Sequence, residues 1–444
     1  MTMINTADQR DIEARFGHLL HRSIWQRFGG LMMIAATLLY CLYAAWFFDL
    51  PKLMREAHWE RFGIYLVQWI SYDVQPQFRL KYDGSIDIRY PRFSVLGDNP
   101  SPDWVTRQAD GSVRVDIGGN VTISKRETVI DARGEQVRVD LTGTTPRVVG
   151  AAPPWVVAGD DNIQVDLGFA GNVSIDETRV KIVKRFFGWP NFIFDTQSPF
   201  FGKSASEVVH LLLSGDRLDP AQSNLSLAWD NFLNNLTWQH GDVLSKLLQT
   251  IVIAFVGTLL GALFGFPLAF LAARNITPNT LVNRIIKRFF DFLRSVDMLI
   301  WALFLTRAFG PGPLAGSGAV FLTETGTLGK LYAEGLENID NKPREGIRSV
   351  GASPLAIQRF GVMPQILPVF AGQTLYQWES NIREATIIGA VGAGGIGLKL
   401  WEAMRTNQNW QNVAYMVLLI LIVVYIFDMI SSRLRAVLTG TKMH

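Results

Sequence analysis

The chain has 444 residues, of which 48% are hydrophobic and 18% charged, with a mean hydropathy of +0.17 and a formal net charge of +3. These values fit neither a soluble domain nor a chain buried wholly in lipid, and so small a positive surplus gives no reason to expect a nucleic-acid partner. The lone cysteine, Cys41, excludes a disulfide within the chain and a thiolate zinc site, and the scattered histidines include no HExxH.

The first apolar run, Phe28 to Phe48, has 21 uncharged residues, enough to span a bilayer. It follows Arg15, Arg22 and Arg27. No small-residue cleavage site comes after it, only "FFDLPKLMREA", so a retained anchor is expected. This gives a cytoplasmic N-terminus over 1–27 and a first transmembrane helix over 28–50. Residues 51–77 mix Trp59, Tyr65, Trp69 and Tyr72 with charges, which predicts a helix lying at the interface.

From Phe78 to Phe194 the pattern turns to alternation. "VRVDIGG" at Val113, "VRVDLTG" at Val137 and "IQVDLGF" at Ile163 resemble one another, and "NVTI" and "NVSI" follow the first and third. Period-two alternation with β-branched residues and Gly, Asp and Asn turns predicts an antiparallel all-β domain over 78–194. One strand-turn unit used three times would account for the likeness; chance matches among short strands are the competing account. Helices over 195–243 are expected to lead back to the membrane.

Five further apolar segments follow within 244–438. They are Leu247–Ala273, "MLIWALFLTRAFG", a run from Leu314 that keeps helical spacing through "GTLGKLYAEGLENI", Ile366–Val391, and Val413–Phe427. Basic residues collect at the N-terminus, near 274–288, near 342–359 and in the C-terminal tail. The positive-inside rule then predicts six spans with both termini cytoplasmic and residues 51–243 outside.

No motif supports catalysis. "GKS" at Gly202–Ser204 resembles the end of a phosphate loop, but Gln197 stands where that loop needs glycine. The chain itself should therefore bind no nucleotide or metal. The cytoplasmic stretch 341–367 is charged and broken. Asn341 is expected to cap a helix that Gly351 stops, and Ser353 with Pro354 to start a second. Leu355, Phe360 and Met363 give this elbow an apolar side, as a docking knob would have.

Here the chain resembles a known family. Permeases of bacterial ABC importers carry a loop written Glu-Ala-Ala, three residues, Gly, nine residues, Ile-x-Leu-Pro. Glu345, Gly351 and Met363-Pro364 match it, while Gly346, Ile347 and Gly361 depart from it. "GTLLGALFGFPLAFLAARN", "FLRSVDMLIWAL", "GTLGKLYAEGLENID", "GASPLAIQRFGVMPQILPVF" and "REATIIGAVGAGGIG" are together similar to the phosphonate-type subfamily, over about 240–438. The resemblance implies an α-helical membrane protein with six transmembrane helices of the type I ABC importer permease kind, here with an inserted periplasmic all-β domain. It implies residence in the bacterial inner membrane and a second copy of the permease. The other partners it implies are two ATP-binding cassette ATPase subunits, which carry ATP and Mg, and a periplasmic phosphonate-type binding protein. Within the loop it implies that Glu345, Gly351, Ala352, Ser353, Met363 and Pro364 couple ATPase closure to transport.

The fifth span carries Glu379, Arg383 and Glu384. Charges inside a span are costly and face a pore or a partner. Glu379 and Arg383 stand four apart, as an ion pair does. Either they form a structural pair or Arg383 lines an anion path, and Arg294 and Asp297 before the third span raise the same question. "GAVGAGGIG" at Gly389–Gly397 reads as close helix packing and a turn. Other small anions or amino acids remain open as substrates. A receptor or scaffold built on the β domain, or an ATP-independent channel, would leave the loop spacing unexplained.

Overall fold

The computed structural model describes residues 24–57, 63, 66–91, 94–97, 100–143, 145–406 and 410–439. Two compact units result, Met1–Tyr65 and Leu66–His444. The first holds α1 (Ile24–Phe47) and α2 (Leu50–Glu56). Along α1, Leu31, Met33, Leu39, Leu42 and Trp46 are all exposed, as befits a helix made for lipid. Most of the expected cytoplasmic N-terminus, and the aromatics Trp59 and Tyr65, lie outside the described residues.

The second unit opens with a β sandwich. One sheet runs in the order β10 (Val156–Ala158), β11 (Ile163–Asp166), β12 (Gly171–Ile175), β13 (Arg179–Phe187), β2 (Gln77–Leu80), β3 (Ile86–Arg89), with β1 (Ser71–Val74) also on β13. The other is a meander of β4 (Val105–Arg107), β5 (Val113–Asp116), β6 (Asn120–Ile123), β7 (Glu127–Ala132), β8 (Glu135–Asp140) and β9 (Arg147–Val149). Alternation sorts the side chains: Val113 and Val115 are buried while Arg114 and Asp116 face out. Phe78, Ile86, Ile163, Val165 and Ile182 meet Val115, Val121 and Ile130 of the opposite sheet in one apolar core.

The three similar segments are one structural unit. Each runs as a strand and ends on an Asp whose side chain closes the next turn. Asp116 accepts from the Gly118 amide at 3.2 Å, Asp140 from the Thr142 amide at 3.0 Å and Asp166 from the Gly168 amide at 2.7 Å. The doubling extends to register. Val105 faces Val115 and Val115 faces Val121 in one sheet; Val156 faces Val165 and Val165 faces Val173 in the other. The sheet begins earlier than the expected boundary at 78. β1 lies within the stretch read as an interfacial helix, because "SYDV" pairs along β13 and Tyr72 stacks on Phe186 at 5.4 Å. Tyr72 is thus a cross-strand partner.

After the sheets come α3 (Ala205–Leu213) and α4 (Asn224–Leu233). Ser204 of the "GKS" triplet caps α3 in a box with Glu207, which gives that serine a structural role. The helical part comprises α5 (His240–Ala272), α6 (Thr280–Ser295), α7 (Met298–Phe309), α8 (Pro313–Glu337), α9 (Asn341–Ser349), α10 (Pro354–Ile357), α11 (Met363–Ile388), α12 (Gly395–Thr406) and α13 (Trp410–Thr439). Among the described residues α1, α5 and α13 are long and apolar enough to cross a membrane, and α10–α11 with α12 make a fourth candidate bent by 59°. The twelve residues of α7 reach about 18 Å, short of the ~30 Å hydrocarbon core.

Small residues set the packing. Gly257, Gly261 and Gly265 form a seam on α5. A Cβ at 257 would lie 2.4 Å from Val320 Cβ, and one at 261 would lie 2.6 Å from Glu324 Cβ, so α5 and α8 touch through backbone. The bend before α12 is equally close, since a Cβ at Gly397 would lie 1.8 Å from the Thr386 carbonyl. The Gln249 and Thr250 side chains of α5 then accept from the Gly395 and Ile396 amides at 3.0 and 2.8 Å. The reading of "GAVGAGGIG" as packing and turn holds.

An aromatic knot ties the sandwich to the bundle. Trp189 and Phe192 pack on Trp238 and Tyr415. The His240 ring joins the Tyr415 hydroxyl at 2.8 Å and the Phe192 carbonyl at 2.7 Å. The knot marks one end of the bundle, where α5 and α13 begin. The elbow lies at the other.

Candidate functional site

The elbow is built as its residues require, with one shift. Asp340, not Asn341, caps α9, accepting from the Lys342 amide. The two are adjacent and both can cap, so sequence alone does not rank them. Gly351 has φ +79, a left-handed turn that a residue with a Cβ resists. The Ser353 hydroxyl accepts from the Ala356 amide at 3.3 Å, with Pro354 in the first helical position. A wide π-type turn, Gln358–Val362, carries the chain straight into α11, so the second short helix continues into the long one.

Polar contacts hold the elbow against the bundle end. Arg344 donates to the Asn275 carbonyl at 2.9 Å, and Asn275 donates to the Leu336 carbonyl at 2.6 Å. Lys287 pairs with Glu337 at 2.8 Å. Gly361, a departure from the family pattern, has a local reason: a Cβ there would lie 3.2 Å from Arg344 Cα, so glycine lets α9 close down. Outward the elbow presents Val350, Leu355 and Phe360, all well exposed, with Arg359 over the Phe360 ring at 5.5 Å. Glu345, Ser353 and Pro364 are exposed, whereas Ala352 and Met363 are half-buried.

The charged stretch of α11 is more connected than its sequence suggests. Glu379 is buried, its side chain 7% exposed. One oxygen faces Arg383 at 3.7 Å; the other faces Arg435 of α13 at 3.4 Å. The Arg435 guanidinium also lies 5.5 Å from the Tyr376 ring centroid, and beside it Ser431 donates to the Leu375 carbonyl at 3.2 Å. Arg383 keeps 51% of its side chain exposed, on a helix face shared with exposed Tyr376 and Ile387. Glu384 is half-buried. Arg294 does not join the group, whereas Asp297 lies near enough to Glu384 for the two carboxylates to interact. Arg294 is exposed in the last turn of α6, and Asp297 caps α7 by accepting from the Leu299 amide at 2.9 Å. Among the described residues no ion pair links either to Glu379, Arg383 or Glu384.

The sequence reading misses two residues. Glu324 of α8 is 2% exposed, with the Gln377 amide 3.3 Å from its carboxylate, and nearby Asn381 donates to Thr258 at 2.7 Å. A lone acid in the apolar run "AVFLTETG" is the available signal. Arg435 reads as a tail charge flanking the last span; one of its partners, Glu379, lies 56 positions away, beyond any spacing rule.

Comparison with known proteins sets this geometry in context. The family described as binding-protein-dependent transport system inner membrane component matches residues 265–439. The phosphite transport system permease protein PtxC of Stutzerimonas stutzeri is 39% identical over 189 residues, 43% of this chain and 68% of that one. A relative from Escherichia coli K12, named as a cryptic phosphonate transport system permease protein, PhnE2, is 49% identical over 26% of this chain and 95% of its own. The phosphate-import permease protein PhnE of Mycolicibacterium smegmatis is 36% identical over 44% of this chain and 36% of its own.

Proposed function

The chain belongs to the family of binding-protein-dependent transport system inner membrane components, and from that premise we propose that it is the permease subunit of an ATP-driven importer for phosphonate or a related phosphorus oxyanion such as phosphite. The observation that carries the permease reading is the elbow. Its outer surface is an apolar knob of Val350, Leu355 and Phe360 on a short helix pair pinned to the bundle by Arg344. A knob of this kind fits a groove in an ATPase subunit, and the pins let movement of the groove pull on α11. The substrate class is supported by the names of the relatives and by Arg383. A guanidinium left half exposed on an apolar helix is costly against lipid, so its face meets water or protein. In a pair of such chains that face borders the shared path.

In this reading two copies pair, two ATPase subunits carry ATP and Mg, and a binding protein delivers the anion to the end where the sandwich lies. The chain spans the inner membrane six times with both termini cytoplasmic and residues 51–243 periplasmic. The short α7 then crosses as one layer of a packed bundle. Co-purification tests the assembly: the tagged chain should bring down an ATPase subunit. Uptake competition among methylphosphonate, phosphite, phosphate and sulfate tests the substrate. Competition by sulfate alone would overturn the phosphorus assignment.

A further inference from the structure

Only Val296 and Asp297 separate α6 from α7, and the pair follows α8 along most of its length. The contacts climb α8 in order. Lys287 pairs with Glu337 at 2.8 Å and Asp291 with Lys330 at 2.6 Å. A Cβ at Gly326 would lie 2.8 Å from Leu293 Cβ, and one at Gly318 would lie 2.9 Å from Leu305 Cδ1. The 25 residues of α8 cover about 37 Å, more than the ~30 Å hydrocarbon core. Depth is fixed by α5. Gly261 stands at the middle of the apolar run Leu247–Ala273 and packs on Glu324 of α8. The break at Val296, where ψ is 121, therefore lies close to mid-bilayer. Across it the Trp301 indole donates to the Leu293 carbonyl at 3.2 Å, taking up a carbonyl that the end of α6 leaves without a helix partner.

The two sides of α6 differ. Leu281, Ile285, Phe289 and Phe292 recur at helical spacing and are 64, 56, 41 and 59% exposed, so one apolar stripe is uncovered along the whole helix. Arg294 is also exposed, but two positions beyond Phe292 it lies about 200° round the axis, on the other side. Asp297 in the break is exposed as well. Asp291 lies near Arg294, and Glu384 near Asp297, so the surroundings of the break are polar. Non-helical backbone at this depth is tolerated only inside protein or beside water.

We propose that α6 and α7 are the two halves of one membrane span, broken near mid-bilayer, with acyl chains against Leu281, Ile285, Phe289 and Phe292 and a water-filled path against Arg294. Arg284 and Arg288, lower on α6, reach the cytoplasmic headgroups by their length. A helix lying flat on the inner surface would leave the same stripe uncovered, but it could not follow α8 to mid-depth. The water side deepens the permease reading and rests on it; the lipid side does not.

The test uses the complete transporter in liposomes, with Cys41→Ser and one new cysteine at a time. L281C, I285C, F289C and F292C each carry a fluorophore, quenched by lipids bearing nitroxides at shallow or deep positions. The ratio of deep to shallow quenching should rise about threefold or more from 281 to 292, positions about 16 Å apart along the axis. R294C should react with a charged, water-soluble thiol reagent about tenfold faster than F292C. D297C repeats that measurement should R294C fail to assemble. Equal quenching ratios at all four positions would lay α6 flat on the surface and overturn the span. No quenching at any of them would put protein on the stripe and overturn the lipid assignment. Reaction no faster than that of F292C overturns the water side. The depth reading needs no transport, so absence of phosphite uptake with the gradient intact counts against the permease reading alone.

Discussion

The sandwich and the helical bundle bury opposite things. In the sandwich, Val115, Ile130, Val165 and Ile182 fill an apolar interior, and Asp116, Asp140 and Asp166 stand outside closing turns. In the bundle, Leu248, Phe264 and Leu421 face out, while Glu324, Glu379, Asn381 and Thr258 are buried. The first arrangement is what water demands of a domain that must hold its shape. The second is what lipid demands, and its buried polar groups cost stability that only a job in the interior justifies. The proposed function puts transport in the bundle and leaves the sandwich a scaffolding or docking role.

The sharpest way to break this division is at the elbow. Gly351→Val forces a β-branched residue into φ +79 at a cost of roughly 1–3 kcal/mol, all of it in the loop. The chain should still reach the membrane, and uptake should fall by well over tenfold while basal ATP hydrolysis by the complex continues. Normal uptake by that variant would remove the elbow from the mechanism. Next in size is Arg383→Gln, for which the proposed anion contact predicts a drop in uptake of about tenfold with assembly intact. Arg383→Lys should keep a part.

The sandwich should answer differently. Ile130→Ala opens a cavity in a closed apolar core and should destabilise the sandwich by about 2–5 kcal/mol. Hydrogen exchange should show the loss in β5–β8, with uptake at saturating binding protein kept. A collapse of uptake to the level of Gly351→Val would mean the two regions are coupled more tightly than proposed. The smallest effect concerns acid. Hydrogen bonds from the side chains and amides of Ser112 and Thr142 hold the carboxyls of Asp110 and Asp140 below their ordinary value of 3.8. Groups lowered on folding add stability that is full above the ordinary value and lost as the pH falls through the folded one. The sandwich should therefore weaken below about pH 4, and D110N/D140N should flatten that slope, as followed by thermal melts at stepped pH.

Much of this is readable beforehand, and the reasons differ by region. Alternation exposes the strands, and Ser353 beside Pro354 and Gly351 marks the elbow, because each of those signals is local. Asp340 displaces Asn341 as the cap and β1 displaces part of the interfacial helix. In the first case two neighbouring residues satisfy the same local rule; in the second, pairing along β13 decides. Arg435 and Glu324 are out of reach for another reason. Their meaning comes from partners on other helices, Glu379 and Gln377, and nothing in a one-dimensional spacing encodes which helices meet.

The most direct test of the whole account is ATP-dependent phosphite uptake into proteoliposomes holding the permease with its ATPase subunits, with binding protein supplied on the side of the sandwich. The account predicts uptake that needs both ATP and binding protein, that methylphosphonate competes for and sulfate does not, and that Gly351→Val abolishes. Uptake that proceeds without ATP, or that Gly351→Val leaves unchanged, would contradict it.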